Sequence, residues 1–242
     1  MKINQTVLGI KIFSKDSNSL LEIIQKLLQD KDYLAYFVAT VNPEFIVRAV
    51  EEPKFAKVLS QTDLNLPDGV GLRWAADFEE IIPGRILVEK LLHNNYKIFF
   101  LGGKEGVASK MAQKYGGESD EGLKNVRKDL ENGQLNDSII KKINSYAPDI
   151  LLVAYGAPWQ EYWINKYKKQ LRVKLVVGVG GTFDYLTGNV RQPPVFVSKM
   201  GFEWLWRLVN QPFRWRRQLK LFKYVWLILK NKFKAFDHTP NS

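Results

Sequence analysis

Cysteine is absent from the 242-residue chain. That excludes disulfide scaffolds, Cys-ligated zinc and thiol nucleophiles, and it accords with a reducing compartment. Histidine is almost as scarce: His93 falls at a polar helix end and His238 among the last residues. Neither lies near a candidate site, so no histidine triad or histidine metal cluster is expected. No stretch approaches the ~20 consecutive apolar residues of a spanning helix. The longest candidate, Tyr224 to Leu229, is bracketed by Lys223 and Lys230. Met1 to Thr6 carries one basic residue and no long apolar run follows it, so Val7 to Phe13 reads as a strand, not a signal-peptide core. Together these absences predict a cytoplasmic protein.

Acid is missing from one segment in particular. From Arg191 to Phe236 eleven basic residues stand against the single acid Glu203, which accounts for nearly all of the formal charge of +11. The chain before it is close to neutral. With 45% hydrophobic and 25% charged residues the composition is that of an ordinary globular protein. The expected division is an α/β core over residues 1–190 and a basic, aromatic-rich helical appendage over 191–242.

What is present alternates in period. Ser17 to Asp30 is an amphipathic helix, and Leu34 to Thr40 a β-rich run followed by Asn42 as cap and Pro43 in the first turn of a helix. A short helix follows Pro53. A strand ends at Pro67, and a helix is expected over Val70 to Asp77. Tyr96 to Leu101, Asp149 to Ala154 and Leu175 to Val179 are apolar strands, each running into a glycine-marked turn, with a helix near Ala108 to Tyr115 after the first and over Pro158 to Lys169 after the second. Residues 116–135 read as a long polar surface loop with one helical turn at most, and Asp137 to Ala147 as a helix. The expected fold is α/β, a mostly parallel Rossmann-like sheet flanked by helices, with a C-terminal amphipathic helical appendage.

In such a sheet the turns after the strands share one edge, where open α/β folds bind ligands. Asp68 sits in a Pro-Asp-Gly turn at the end of a strand. By itself that is common turn chemistry, and Asp is a favoured helix cap. Its place on an edge shared with Asn42, Gln160 and Asp184 raises it to a candidate for chemistry. Gly69 lets the backbone turn sharply and leaves no side chain to crowd a ligand. Gly102-Gly103-Lys104-Glu105-Gly106 between strand and helix is a weak phosphate motif. It lacks the dinucleotide spacing and the following acid, so a dinucleotide oxidoreductase is the least supported class. No Asp-x-Asp pair lies at a strand end, and Glu118 and Asp120 read as solvated surface. No metal and no cofactor are expected.

At these motifs the chain resembles the WecG/TagA/CpsF glycosyltransferases. Thr40-Val41-Asn42-Pro43-Glu44 and Asp63-Leu64-Asn65-Leu66-Pro67-Asp68-Gly69-Val70-Gly71 look like the family's first two signatures. Gly156-Ala157-Pro158-Trp159-Gln160-Glu161, Gly178-Val179-Gly180-Gly181-Thr182-Phe183-Asp184 and Gly201-Phe202-Glu203-Trp204-Leu205-Trp206-Arg207-Leu208 look like the later ones. The resemblance spans about residues 5–217. It implies inverting, metal-independent transfer of an N-acetylhexosamine, typically N-acetylmannosamine, from a UDP-sugar to an undecaprenyl-diphosphate-linked sugar. The setting it implies is cell-surface polymer synthesis on the cytoplasmic face of the membrane. Asp68 would be the general base, with Asn42 and Gln160 assisting. The substrate-binding set would be Thr40, Gly69, Arg85, Gly102, Gly103, Gly156, Gly180, Gly181, Phe183 and Asp184. The chain departs from the family where its loop reads Glu80-Ile81-Ile82-Pro83-Gly84-Arg85-Ile86-Leu87: Ile81 replaces an Arg and Ile86 an Asp. Arg85 is the candidate to supply the missing charge. A catalytically silent sugar-nucleotide-binding or scaffold protein of the same fold is the alternative.

The tail has its own signal. Arg216, Lys220, Lys223, Lys230 and Lys234 share one helical face, and Phe222, Val225, Leu229 and Phe236 another. With Trp226 and the flanking Arg214 and Arg217 this is the pattern of an interfacial helix on an anionic membrane. Packing of the apolar face on the domain, or on a second copy in a homo-oligomer, is the competing reading. Nucleic acid is not expected, because the tail is too apolar for a groove binder.

Overall fold

Three of the apolar runs form strands that are buried along their whole length: Ile98–Leu101, Ile150–Val153 and Leu175–Gly178. Burial on both faces is what a parallel sheet between two helical layers imposes. The structure, a computed structural model, describes residues 3–30, 35–190, 205–206, 209 and 215–237, with side chains of the last helix described over 219–233. In chain order the strands are β1 (Asn4–Val7), β2 (Ile10–Phe13), β3 (Tyr36–Val41), β4 (Leu64–Pro67), β5 (Ile98–Leu101), β6 (Glu118–Asp120), β7 (Ile150–Val153) and β8 (Leu175–Gly178). The helices are α1 (Ser17–Gln29), α2 (Pro43–Glu51), α3 (Pro53–Ser60), α4 (Gly84–Leu92), α5 (Val107–Tyr115), α6 (Val126–Asp129), α7 (Gly133–Tyr146), α8 (Trp159–Tyr167), α9 (Thr182–Leu186) and α10 (Trp215–Asp237).

Six strands make one sheet in the order β4-β3-β8-β7-β5-β6, all parallel. The expected α/β class and parallel sheet are present. From β3 the chain moves outward to β4, and from β5 outward to β6 before returning to β7. The connections therefore diverge around β8 and β7 in the middle, the arrangement beside which open α/β folds bind ligands at the carboxyl ends of their strands.

Four local expectations are corrected. Val7 to Phe13 is not one strand: Leu8 and Gly9 turn with positive φ, and β1 and β2 form an antiparallel hairpin. Buried Asn65 ties that hairpin to the sheet by donating to Lys11 O at 3.0 Å. The stretch 116–135 is not a loop, for it contributes the edge strand β6, helix α6 and the start of α7. Its polarity misled because an edge strand with one solvated side needs no apolar run. Asn132 caps α7 by accepting from Leu135 N, which starts that helix four residues earlier than periodicity indicates. Val70–Trp74 is a short 3-10 turn and not an α-helix.

Helix α10 packs on α2. Tyr224 and Ile228 are buried there with partly buried Leu221, and Lys223 pairs with Glu51. The opposite side of the helix carries Leu219, Phe222, Trp226, Leu229 and Phe233, all at least half exposed. The expected helix is present, but Tyr224 and Ile228 do the packing while Phe222 and Leu229 face outward. Leu205, Trp206 and Val209 are helical, whereas 191–204, 207–208 and 210–214, Arg214 included, lie outside the described residues, as do the side chains of Arg216 and Arg217. No helix among the described residues is long and apolar enough to cross a membrane.

The Tyr224 hydroxyl is buried with no hydrogen-bond partner among the described residues. A buried, unbonded hydroxyl costs about 1–3 kcal/mol. Tyr224→Phe should therefore keep or raise stability, by about 1 kcal/mol in urea unfolding. A clear loss of stability would mean that the hydroxyl is bonded in solution.

Candidate active site

The turns after β3 and β4 hold the first two candidate residues side by side. Asn42 has extended backbone, and its Oδ1 accepts from Glu44 N at 3.0 Å and Phe45 N at 3.2 Å. It thus caps α2, whose first residue is Pro43, as the sequence indicates. The cap engages only the amide oxygen. Asp68 is half-buried, and its backbone N donates to Val41 O at 2.7 Å, while Ile82 N donates to Pro67 O at 2.8 Å. The turn is pinned from both sides. Gly69, not Asp68, holds the cap position of the 3-10 turn. At Gly69 φ is +123°, and a Cβ would lie 3.6 Å from Pro43 Cδ and 3.9 Å from Asn42 Cβ. The Asp68 turn therefore leans directly on the Asn42 turn.

Towards the middle of the sheet the polar side chains act as struts. The buried Thr40 hydroxyl donates to Gly178 O at 3.2 Å, joining the ends of β3 and β8. A Cβ on Gly84 would lie 2.7 Å from Thr40 Cγ2, so the first turn of α4 can sit on Thr40 only because residue 84 is glycine. Arg85 follows on that turn, its Nη1 2.7 Å from Glu89 Oε1. Ile81 is partly buried against the core.

Gln160 joins two further turns. Its Oε1 accepts from Gly156 N at 3.0 Å, after β7, and from Gly180 N at 2.9 Å, after β8. Its Nε2 donates to Glu161 Oε1 at 2.7 Å. The side chain is 2% exposed, so its amide is engaged with protein on both ends. Phe183 is also a core residue, edge-on to Phe100 with ring centroids 5.7 Å apart, and it lies beneath Gly103. Gly103 and Gly181 are exposed at the rim, whereas Gly102 is buried against the Tyr155 ring. Asp184 has one buried carboxyl oxygen, Oδ1, with no partner among the described residues.

The candidate residues thus line one edge as a continuous rim running from β4 through β3, β8 and β7 to β5. Asp68, Asn42, Gln160 and Asp184 share that edge: Asp68 and Asn42 sit at one end, and Gln160 works from below. Glu118 and Asp120 lie on edge strand β6, where Asp120 pairs with Lys142 at 3.1 Å and accepts from Gly122 N at 2.8 Å. Among the described residues no three His, Asp or Glu side chains gather as a metal centre would need.

Glu161 is the residue that sequence reasoning passed over. It is fully buried, Oε2 has no partner among the described residues, and burial pushes the carboxyl up to about 7 against the pull of Gln160 and, more weakly, Arg48. An acid in the first turn of a helix reads as a dipole partner in solvent. Only the placement of α8 beneath β8 buries it.

The chain matches the family described as "Glycosyl transferase WecG/TagA/CpsF family" over residues 5–237. It is similar to the N-acetylglucosaminyldiphosphoundecaprenol N-acetyl-beta-D-mannosaminyltransferase of Bacillus spizizenii, 33% identical over 212 residues, covering 81% of this chain and 79% of the relative. The proteins of the same name from Bacillus subtilis and Staphylococcus aureus are 28% and 25% identical, each alignment covering 94% of this chain and 92% and 94% of the relative.

A raised carboxyl pKa gives a definite pH signature. Glu161 prefers its proton in the folded state, so its contribution to stability is complete below 4.5, its ordinary value, and is lost as pH rises through about 7. Glu161→Gln removes that titration. Between about pH 5 and about pH 8 the unfolding free energy of the wild type should fall relative to Glu161→Gln by about 1–3 kcal/mol. A pH-independent difference would show that the carboxyl is solvated.

Proposed function

The chain belongs to the WecG/TagA/CpsF family of glycosyl transferases, and from that premise we propose that it moves N-acetylmannosamine from a UDP-sugar to an undecaprenyl-diphosphate-linked sugar, with inversion and with Asp68 as general base. It is a glycosyltransferase, and its named relatives act on an N-acetylglucosaminyl-diphosphoundecaprenol acceptor. The observation that carries the assignment to Asp68 is its position: a half-buried residue at the strand edge, in a turn that packs against the Asn42 turn.

The chemistry follows from that position. The Asp68 carboxylate takes the proton of the acceptor hydroxyl as its oxygen attacks the anomeric carbon. The bond from that carbon to the diphosphate oxygen breaks on the opposite face, and UDP leaves. Asn42, through the amide nitrogen that its cap does not engage, orients the substrate. Gln160 acts on the substrate through the turns that it holds. Arg85 is the nearest replacement for the arginine lost at Ile81 and offsets the developing diphosphate charge. Thr40, Gly69, Gly102, Gly103, Gly156, Gly180, Gly181, Phe183 and Asp184 shape the rim.

Helix α10 brings the lipid to this site. Its outward stripe of Leu219, Phe222, Trp226, Leu229 and Phe233 is bordered by Lys223 and Lys230 on one side and Lys232 on the other. That is an interfacial face for an anionic membrane. Leu221 Cδ1 lies 3.9 Å from the position of a Cβ on Gly71, which puts α10 beside the Asp68 turn. Exposed Val70 and Trp74 extend the apolar surface from that turn. A polyprenyl carrier held in the inner leaflet therefore presents its sugar close to the base. Ile81 and Ile86 favour a second reading, a sugar-nucleotide-binding protein without turnover.

With a short-chain polyprenyl-diphosphate-GlcNAc acceptor and a panel of UDP-sugars, acceptor-dependent UDP release should fall about 100- to 10,000-fold in Asp68→Asn. UDP binding without release from any donor would favour the silent reading. Phe222→Ser with Trp226→Ser alters only exposed side chains, so the fold should persist. Its binding to liposomes containing anionic lipid should weaken at least about 100-fold, since each of the two large side chains contributes about 1.5–3 kcal/mol when buried. Unchanged binding would remove α10 from the membrane.

A further inference from the structure

Beneath the rim, Gln160 has to present one particular end of its amide. Gly156 N and Gly180 N are both donors, at 3.0 and 2.9 Å, so only the oxygen can serve them. A flipped amide would set its NH2 against two N–H groups. The two orientations have nearly the same shape; the two N–H donors favour the oxygen at their end, and the group at the other end of the amide reinforces that choice. That group is Glu161, whose Oε1 accepts from Gln160 Nε2 at 2.7 Å. The carboxyl can accept there whether or not its other oxygen carries a proton.

The pair is built into the sheet. A Cβ on Gly178, the last residue of β8, would lie 2.8 Å from Gln160 Nε2 and 3.0 Å from Glu161 Oε1. The absent side chain is what admits both groups beneath the strand end. Gly178 O accepts from Thr40, so the same point is tied to β3, one residue away from Val41 and the Asn42 turn. Against this, a fully buried carboxyl with Oε2 unbonded among the described residues is a costly choice for a helix that merely packs. A local rule broken at a site edge points to function.

We propose that Glu161 is a positioning residue for the transfer reaction: by fixing the direction of the Gln160 amide it sets the spacing of the turns after β7 and β8 at the site. This rests on the glycosyltransferase reading of that edge. Glu161 touches no substrate. It acts through Gln160, and through Gln160 on Gly156 and Gly180.

The test compares Glu161→Met, which keeps a straight side chain but offers no comparable acceptor, with Glu161→Gln, which keeps an acceptor oxygen. Amide hydrogen exchange in the full chain is followed by NMR, beside acceptor-dependent UDP release per folded molecule. Glu161→Met should speed exchange at Gly156 and Gly180 about tenfold or more relative to other sheet-edge amides. It should lower kcat/KM about 10- to 100-fold, and Glu161→Gln should restore both. Normal protection and turnover in Glu161→Met would overturn the proposal, as would a global loss of protection with unaltered turnover per folded molecule. Where Glu161→Met does not fold, Glu161→Gln decides: wild-type protection and turnover support the brace, and loss of either overturns it. A wild type that turns over no donor sinks the reading of the site instead, while the exchange arm still judges Glu161.

Discussion

Because all six strands of the central sheet run the same way, every strand delivers its carboxyl end and the following turn to one edge. No single turn in this chain makes a site. Asn42, Asp68, Gly102, Gly156 and Gly180 are far apart in sequence, and they are brought together by the direction of the strands beneath them. The register is held by β3, β5, β7 and β8, whose burial leaves little freedom to slip without exposing apolar side chains. A rigid apolar sheet below and short, glycine-bearing turns above is a division of labour in which the turns can serve chemistry while the strands carry stability.

The turns are nevertheless not left to themselves. Thr40 to Gly178, Gln160 to Gly156 and Gly180, and Ile82 to Pro67 form a set of cross-links just under the rim. Each is a polar contact that contributes about 1 kcal/mol net when satisfied and would cost more if a buried half of it were left without its partner. Their yield lies in placement more than in stability. Glu161 is the extreme member, because one of its oxygens has no partner among the described residues and its acid is raised towards neutrality. Such a residue lowers the stability of the fold in order to hold one side chain in one orientation.

Helix α10 shows the same economy on a larger scale. A helix with one apolar face would either pack on the domain or meet a membrane. This one has two apolar faces, Tyr224 with Ile228 inward and Phe222 with Trp226 outward, so it packs on the domain and still presents an apolar face outward. The Lys223–Glu51 pair lies at the border, where the lysine holds the Glu51 carboxyl below its usual range. The packing of α10 on α2 also puts the outward face next to the turn that carries Asp68, which links the membrane reading to the transferase reading by geometry.

The sequence by itself determined the class of fold, since apolar runs of strand length alternating with helical periods, each closed by a glycine turn, leave few arrangements besides a parallel sheet. It also determined the Asn42–Pro43 helix start, the clustering of charge in the tail and the family, the last through five motifs in order. Polarity hid β6, because an edge strand does not need to be apolar. What only the tertiary structure decided is which of these groups meet. Gln160 and Phe183 look alike on paper as site residues, yet both are buried, one as a strut and one as core. Glu161 looks like a solvated helix acid and is fully enclosed. Phe222 and Tyr224 stand two residues apart on one helix, and the first is exposed while the second is buried. Local sequence sets backbone preference and spacing, but burial depends on which element lies above a side chain, and that is a property of the assembled layers.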